Sequence, residues 1–438
     1  MFAAKKSSLK TSLSAVQAAA SGSSRRAAYE ALLQWEKSGA FADSIVDQRI
    51  RHALQGADAD LAVEIFYGAI RWRARLDFVI DHSTFRVKVL PLRCLLRCGL
   101  YQLLFLDRVP EYAAVNETVA LAPAGLRSLA NAFLRSFLRE RKNWLQRLES
   151  CRETKPDVFY SHPAWLIRRW ERAFGGDRAR QLLGWNNTIP GVFIRANTLK
   201  CSCEELKPAL QDHLPKSTPH PLAFQVESPG GLFASEAYRQ GWFYAQDPST
   251  LKAVELLDVH PGDTVLDPCA APGGKTTYIA QRMENRGRVV ASDLDPKRLR
   301  LLEENKKRLG CSSIEIVPMH TLLNTTEAFD RILLDVPCSN TGVLRRRVDL
   351  RWRIRRQEIL ALAAEQFRLV VRFTQRLKPG GILVYSTCSL EPEENEQMVE
   401  RLRKQVPVLM LEETWSSFPP ESGMDGAFAA KFRMKNLK

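Results

Sequence analysis

A chain of 438 residues with 45% hydrophobic and 26% charged side chains has an ordinary globular composition and is long enough for two or three domains, each with its own core. Its formal net charge of +15 favours a polyanionic partner, nucleic acid before anionic membrane; the most hydrophobic patch, Val89–Val109, is broken by Arg93, Arg97, Asp107 and Arg108, so no span crosses a membrane. Nine scattered cysteines, an odd number without a signal peptide, argue for reduced thiols in a cytoplasmic protein, and neither Cys94/Cys98 nor Cys201/Cys203 has partners at zinc-site spacing.

Residues 1–24 are rich in Ser, Ala and Lys, with no acid before Glu30, and read as a disordered basic tail outside the fold. From 25 to 150 the pattern is helical: Leu32, Leu33 and Trp35, then Leu61, Ile65, Phe66 and Ile70, then Leu95, Leu96, Leu100, Leu103 and Leu104 recur at three- and four-residue steps. Arg71, Arg73 and Arg75 cluster on this basic module, either as a solvated face or as an RNA-binding one. Residues 151–240 change character. A helix starting in His162–Trp170 precedes short strands at Val192–Ala196 and Leu222–Val226, divided by Pro-, Gly- and Ser-rich turns, which makes a small α+β module.

From 241 to 438 strand and helix alternate as a doubly wound α/β sheet requires. Thr264–Asp267 reads as a buried strand, and Pro268, Pro272, Gly273 and Gly274 then turn the chain into a helix from Lys275. Such a turn leaves backbone N–H groups at a positive helix end, where a nucleotide or nucleoside cofactor can be held. Gly274-Lys275-Thr276 resembles the end of a phosphate loop. That loop, however, needs glycine where Cys269 stands. The next strand, Arg288–Asp293, ends in an acid placed to bind ribose hydroxyls, although Asp293 or Asp295 equally suits a helix cap before Pro296. A helix is expected from Pro296 to Leu309, strands at Ile314–Val317 and Phe329–Asp335, a helix from Gln357 to Leu377, a strand at Ile382–Thr387 and a helix from Glu393. Cys338 and Cys388 follow two of these strand tips, on the carboxyl edge where ligands bind. Either cysteine alone reads as a small buried hydrophobe. Beside the cofactor loop, the pair at one sheet edge becomes a candidate for thiolate chemistry.

The segments at Phe66–Asp77, Gly99–Val119 and Asn131–Arg135 resemble the NusB-like helical domain that precedes some RNA methyltransferases. FIRANTL (Phe193–Leu199), GWFYAQDPSTL (Gly241–Leu251), DPCAAPGGKTT (Asp267–Thr277), FDRILLDVPCSNTGV (Phe329–Val343), LVYSTCSL (Leu383–Leu390) and EPEENE (Glu391–Glu396) resemble the ordered motifs of the Sun/Nop2 family of RNA cytosine-C5 methyltransferases. The resemblance spans about residues 25 to 430 and implies an all-α NusB-like domain, a small RRM-like α+β domain and a Rossmann-like class I methyltransferase domain. It implies a monomer that transfers a methyl group from S-adenosylmethionine to a 16S rRNA cytosine, on naked RNA or an early small-subunit assembly intermediate. Alternatives are another rRNA or tRNA cytosine, or an rRNA-binding assembly factor without catalysis.

The resemblance makes Cys388 the nucleophile and Cys338 the residue that aids release. Cys269, Ala270, Ala271, Pro272, Gly273, Gly274 and Lys275 would hold the cofactor, Asp293 its ribose, and Asp335 would lie between its methionine end and the base. His320 stands where relatives carry an acid; a neutral imidazole there can accept one hydrogen bond from adenine. Seven arginines fall between Arg345 and Arg356, and Arg345, Arg346, Arg347 and Arg351 are expected to clamp the RNA backbone.

Overall fold

The computed structural model describes residues 24–436, so the expected tail lies, apart from Ser24, outside the described residues. The chain divides into two compact units. One runs through Thr188 and takes in Arg345–Arg353; the other comprises Ile189–Leu344 and the chain from Ile354 onward. By packing, the helices Ala164–Phe174 and Gly176–Trp185, which the sequence assigns to the α+β module, join the helical unit.

The helical unit is built around Leu90–Phe105, whose Leu92, Leu95, Leu96 and Leu100 are fully buried at helical spacing. Helix Gly56–Arg71 crosses it closely because Gly68 has no side chain: a Cβ there would fall 1.9 Å from the Tyr101 ring. Buried Arg97 is satisfied by Glu36 and by Asp77, at 2.7 Å. The cluster Arg71, Arg73 and Arg75 is not simply a solvated face. Arg71 is buried, Arg73 lies between Trp35 and Trp352, and Arg75 packs over Trp72 and Phe159, so all three serve packing inside this unit.

In the second unit a small antiparallel sheet has the order β2-β3-β1-β4, with β1 Val192–Ala196, β2 Pro215–Ser217, β3 Ala223–Val226 and β4 Phe243–Ala245. The large sheet has seven strands, β5 Thr264–Asp267, β6 Arg288–Ala291, β7 Ile314–Ile316, β8 Phe329–Asp335, β9 Leu377–Thr387, β10 Leu409–Ser417 and β11 Ala427–Met434, in the order β10-β11-β9-β8-β5-β6-β7. β7, β6, β5, β8 and β9 run parallel, and β11 is antiparallel to both β9 and β10. Its two faces bury separate apolar layers, Leu257, Ile279 and Leu302 in one and Val370, Phe373 and Leu402 in the other. Covered on both sides, the parallel strands read as near-continuous apolar runs.

Two boundaries differ from the sequence reading. The helix Arg356–Thr374 stops early, and β9 runs straight through Pro379-Gly380-Gly381 as an irregularity in its pairing with β8; Gly380 takes a φ of +74°, which glycine adopts without strain. The last helix begins at Glu396 rather than Glu393, because Glu394 and Asn395 turn inward to make side-chain hydrogen bonds.

Gly68→Ala is expected to destabilise the helical unit by about 3 kcal/mol through the forced displacement of Tyr101, read as a lowered denaturation midpoint. Asp330 accepts from the backbone N–H and hydroxyl of Thr264 and from Lys378, tying β5, β8 and β9 together. Burial would raise its carboxyl, but these donors outweigh burial and hold it down to about 2. A depressed carboxylate contributes stability above its unfolded value near 4 and loses it as pH falls toward 2. Asp330→Asn should therefore unfold more easily at pH 7 by about 1 kcal/mol, with the gap to the parent closing between about pH 4 and pH 2.

Candidate active site

β5 and β8 are neighbours, but the strands that follow β5 build outward on one side and β9 on the other. That reversal opens a crevice at the carboxyl ends of the strands. Asp267 ends β5, Asp293 follows β6, Asp335 ends β8, and Cys388 follows β9, so one edge gathers these three acids and the half-exposed cysteine.

The loop after β5 is shaped from behind. Buried Asp267 accepts from the Thr276 hydroxyl at 2.7 Å and the Cys269 N–H at 3.3 Å, and burial pushes its carboxyl up to about 7. Gly273 caps the helix Gly274–Arg282 with a φ of +108°, and a Cβ there would lie 2.6 Å from Leu302. Arg195 of β1 is buried against the Tyr278 ring; it donates to the Gly274 carbonyl at 2.8 Å and the Thr277 hydroxyl at 3.1 Å. The small sheet thus braces the first turn of the helix Gly274–Arg282, a role that FIRANTL did not betray. Asp293 accepts from the Ala271 N–H at 3.2 Å and lies 3.3 Å from Arg298, while the helix cap is Asp295, which accepts from Lys297 N–H. Burial and the carboxylates of Asp267, Asp335 and Asp293 hold the Cys269 thiol well above its ordinary range.

Lys275 points along the crevice floor and pairs with Asp335 at 2.8 Å, while Ser386 donates to the other Asp335 oxygen at 2.9 Å. Burial opposes the charge on Lys275, but Asp335 outweighs it, Cys388 and Asp267 add to it, and the net shift is upward. His320 is exposed in the short helix Met319–Leu323. Carboxylates at the ends of β6 and β8 can accept from a ribose diol and an ammonium group, and the loop turn offers N–H groups, so these residues fit a nucleoside cofactor that carries an amino acid.

At the next tips, Cys338 is buried and Cys388 half-exposed, with their sulfurs 3.3 Å apart. The Cys388 N–H donates to the Cys338 sulfur at 3.4 Å, and the Cys388 thiol donates to Asn340 Oδ1 at 3.0 Å. Asn340 adopts a left-handed φ of +58° and returns a hydrogen bond to the Cys338 carbonyl at 2.7 Å. The two tips interlock through Gly342, whose N–H donates to the Cys388 carbonyl at 2.9 Å; a Cβ there would sit 2.4 Å from the Gly426 carbonyl oxygen. The hydrogen bond to Cys388, burial and nearby negative charge push the Cys338 thiol well up. Sequence reasoning passed over Asn340, although it stands two residues beyond Cys338 in the motif that flagged it.

At Arg345 and Arg351 the expected arginine clamp is corrected. Arg351 is fully buried, donating to Asn187 at 2.7 Å and to the Asn186 carbonyl at 2.9 Å, and Arg345 is buried over the Trp185 ring at 4.0 Å. Arg346 is half-buried, and of the four only Arg347 is exposed. Trp352 donates to the Ile70 carbonyl and Arg353 to the Ala40 carbonyl. Arg345 and Arg351 thus serve packing in the helical unit; guanidinium groups can stack on rings and bond carbonyls, a use that charge counting cannot tell from phosphate binding.

Comparison with known proteins agrees with this architecture. The 16S rRNA methyltransferase RsmB/F family matches residues 254–433, the NusB family residues 22–139, and an RsmF/B-like ferredoxin-like domain residues 162–230. The chain is 34% identical to the ribosomal RNA small subunit methyltransferase B of Yersinia pseudotuberculosis over 90% of its length and 94% of the relative's. It is also 34% identical to a probable methyltransferase B of Synechocystis over 91% and 92%. Among solved structures, PH0851 covers 94% of the chain and 98% of its own at TM-score 0.76 and 25% identity, and NSun6 from Pyrococcus horikoshii with SFG covers 63% and 99% at 0.58 and 26%. The motifs, the three domains in order and the identity over nine-tenths of the chain lead to one assignment: the protein belongs to the RsmB/F family of ribosomal RNA methyltransferases.

Proposed function

We propose that this protein transfers a methyl group from S-adenosylmethionine to C5 of a cytosine in 16S rRNA. The observation that carries the reading is the pair of sulfurs 3.3 Å apart, beside the Lys275–Asp335 ion pair and the loop after β5. The names of the relatives support small-subunit rRNA as the substrate. The loop Cys269–Lys275 would hold the cofactor with Asp293 at its ribose, and the cofactor supplies an electrophilic methyl group. Asp335 would face its ammonium group or the base amino group, and His320 would border its adenine.

The protein's own residues then divide the work. Cys388 adds to C6 of the cytosine, which moves electron density to C5. C5 takes the methyl group as that carbon's bond to the donor's sulfonium sulfur breaks; water then takes the C5 proton, and the C5–H electron pair re-forms the C5–C6 double bond as the C6–S bond breaks and its electron pair returns to Cys388. Cys338, kept as a thiol by burial and its neighbours, donates to the Cys388 sulfur and steadies it when it leaves. Buried Lys275 places an ammonium group in the same crevice, where its charge and that of a Cys388 thiolate favour each other. A base within a paired element must be flipped out to reach the crevice, which favours unassembled or partly assembled rRNA. With reduced thiols and no described helix long and apolar enough to cross a membrane, we place the reaction in the cytoplasm.

The test is transfer of labelled methyl to unmodified small-subunit rRNA followed by nucleoside analysis. The parent should yield 5-methylcytidine at one position, Cys388→Ala should yield none, and Cys338→Ala should lower turnover by about a hundredfold or more while a protein–RNA adduct accumulates. Label in any other nucleoside, or full activity of Cys388→Ala, contradicts the reading. Lys275→Met should cost about 2 to 3 kcal/mol of transition-state stabilisation in kcat/KM for the methyl donor, since it leaves Asp335 without its partner.

A further inference from the structure

Behind the two cysteines lies a buried acid that the reaction above does not use. Glu394 is fully buried, and its carboxylate accepts four hydrogen bonds. One oxygen accepts from the Ser339 N–H at 2.9 Å and from Gln366 Nε2 at 2.8 Å. The other accepts from the hydroxyls of both Ser339 and Ser389, which lie 2.9 Å from each other. Ser339 follows Cys338 and Ser389 follows Cys388. The same few side chains hold the other flanks: Gln366 donates to the Pro337 carbonyl at 2.9 Å, and Asn395 accepts from the Thr387 hydroxyl at 2.7 Å while donating to the Ser389 carbonyl at 2.8 Å. Each cysteine is therefore gripped on both sides from a single buried cluster.

A buried carboxylate is costly unless its acceptor sites are filled, and here they are filled by groups from the two cysteine tips and the helix Arg356–Thr374, none of them a cation. An apolar residue could fill the same volume, but it could not draw two hydroxyls and a backbone N–H onto one point. We propose that Glu394 is a positioning residue that clamps the residue after each cysteine and so sets the spacing of Cys338 and Cys388. This rests on the function proposed above only for its catalytic consequence; the spacing is a property of the folded protein alone. In the clamped state the Cys338 sulfur stays within hydrogen-bond reach of Cys388, and released from the clamp the tips can drift by the fraction of an ångström to which reacting groups are sensitive.

The test uses the full-length protein and two readouts. In the first, diamide accepts two hydrogens from the thiol pair, and the rate of Cys338–Cys388 disulfide formation is followed by peptide mass spectrometry, with no RNA or cofactor present. Glu394→Gln has nearly the parent's shape but places an amide NH2 among donors, and it should slow this cross-linking by about tenfold or more. In the second, its kcat for methyl transfer should fall by about a hundredfold, with KM for the methyl donor within about twofold and the adduct on Cys388 persisting. An unchanged cross-linking rate overturns the clamp, as does a kcat loss matched by equal losses of donor binding and thermal stability. Should Glu394→Gln fail to fold, the double variant Ser339→Ala/Ser389→Ala keeps the carboxylate, removes both hydroxyl links and carries the same expectations. A slowed cross-linking rate in a protein whose parent form transfers no methyl sinks the proposed function and leaves the clamp standing.

Discussion

Two sulfur atoms held at hydrogen-bond distance need a frame stiffer than either loop that carries them. The frame is the parallel pairing of β8 with β9, in register from Ile332/Leu383 to Asp335/Ser386, which delivers Cys338 and Cys388 to the same height on the sheet edge. Beyond the paired residues the Val336 N–H still reaches the Ser386 carbonyl, at 3.1 Å. Gly342, Asn340 and the buried cluster around Glu394 take over, each linking one tip to the other. The rest of the catalytic unit follows from that edge: its strand order opens the crevice, and its two apolar layers keep the tips from moving as independent loops.

Electrostatics sorts the groups along this edge. The three aspartates lie within one crevice, yet their surroundings differ. Asp267 is buried and raised, Asp293 is tied to a backbone N–H and Arg298, and Asp335 is paired with Lys275. Burial and the acids raise the Cys269 thiol, while the lysine brings positive charge toward Cys388. Cys269 and Cys388 are both half-exposed and differ in their neighbours, carboxylates around the first, Cys338 and Asn340 beside the second.

Much of this was legible in the sequence because periodicity and turn chemistry carry it. The strand Phe329–Asp335 and the helix Pro296–Leu309 have the expected bounds, and each nominated cofactor residue lies on the edge that the strand–turn–helix reading named. What stayed hidden depends on partners distant in the chain. Arg345 and Arg351 look like surface charge until Trp185, Asn186 and Asn187 appear beside them. Gly380 breaks a strand on paper, but a neighbouring β8 accommodates the bulge. Glu394 sits in a run of acids that local rules assign to a helix start, and only the tertiary fold reveals that it points inward while Glu393 and Glu396 do not share its burial.

The central claim is that one cysteine, Cys388, bonds the base while its neighbour does not. RNA carrying 5-fluorocytidine tests it most directly, because fluorine at C5 cannot be lost as a proton is and the adduct is trapped after methyl transfer. Incubation of the protein with such a small-subunit rRNA fragment and S-adenosylmethionine, followed by digestion and mass spectrometry, should find the nucleotide on the peptide containing Cys388, with the methyl group attached. A nucleotide on the Cys338 peptide, or methylation of ordinary rRNA by a protein that never forms the trapped adduct, would contradict the account.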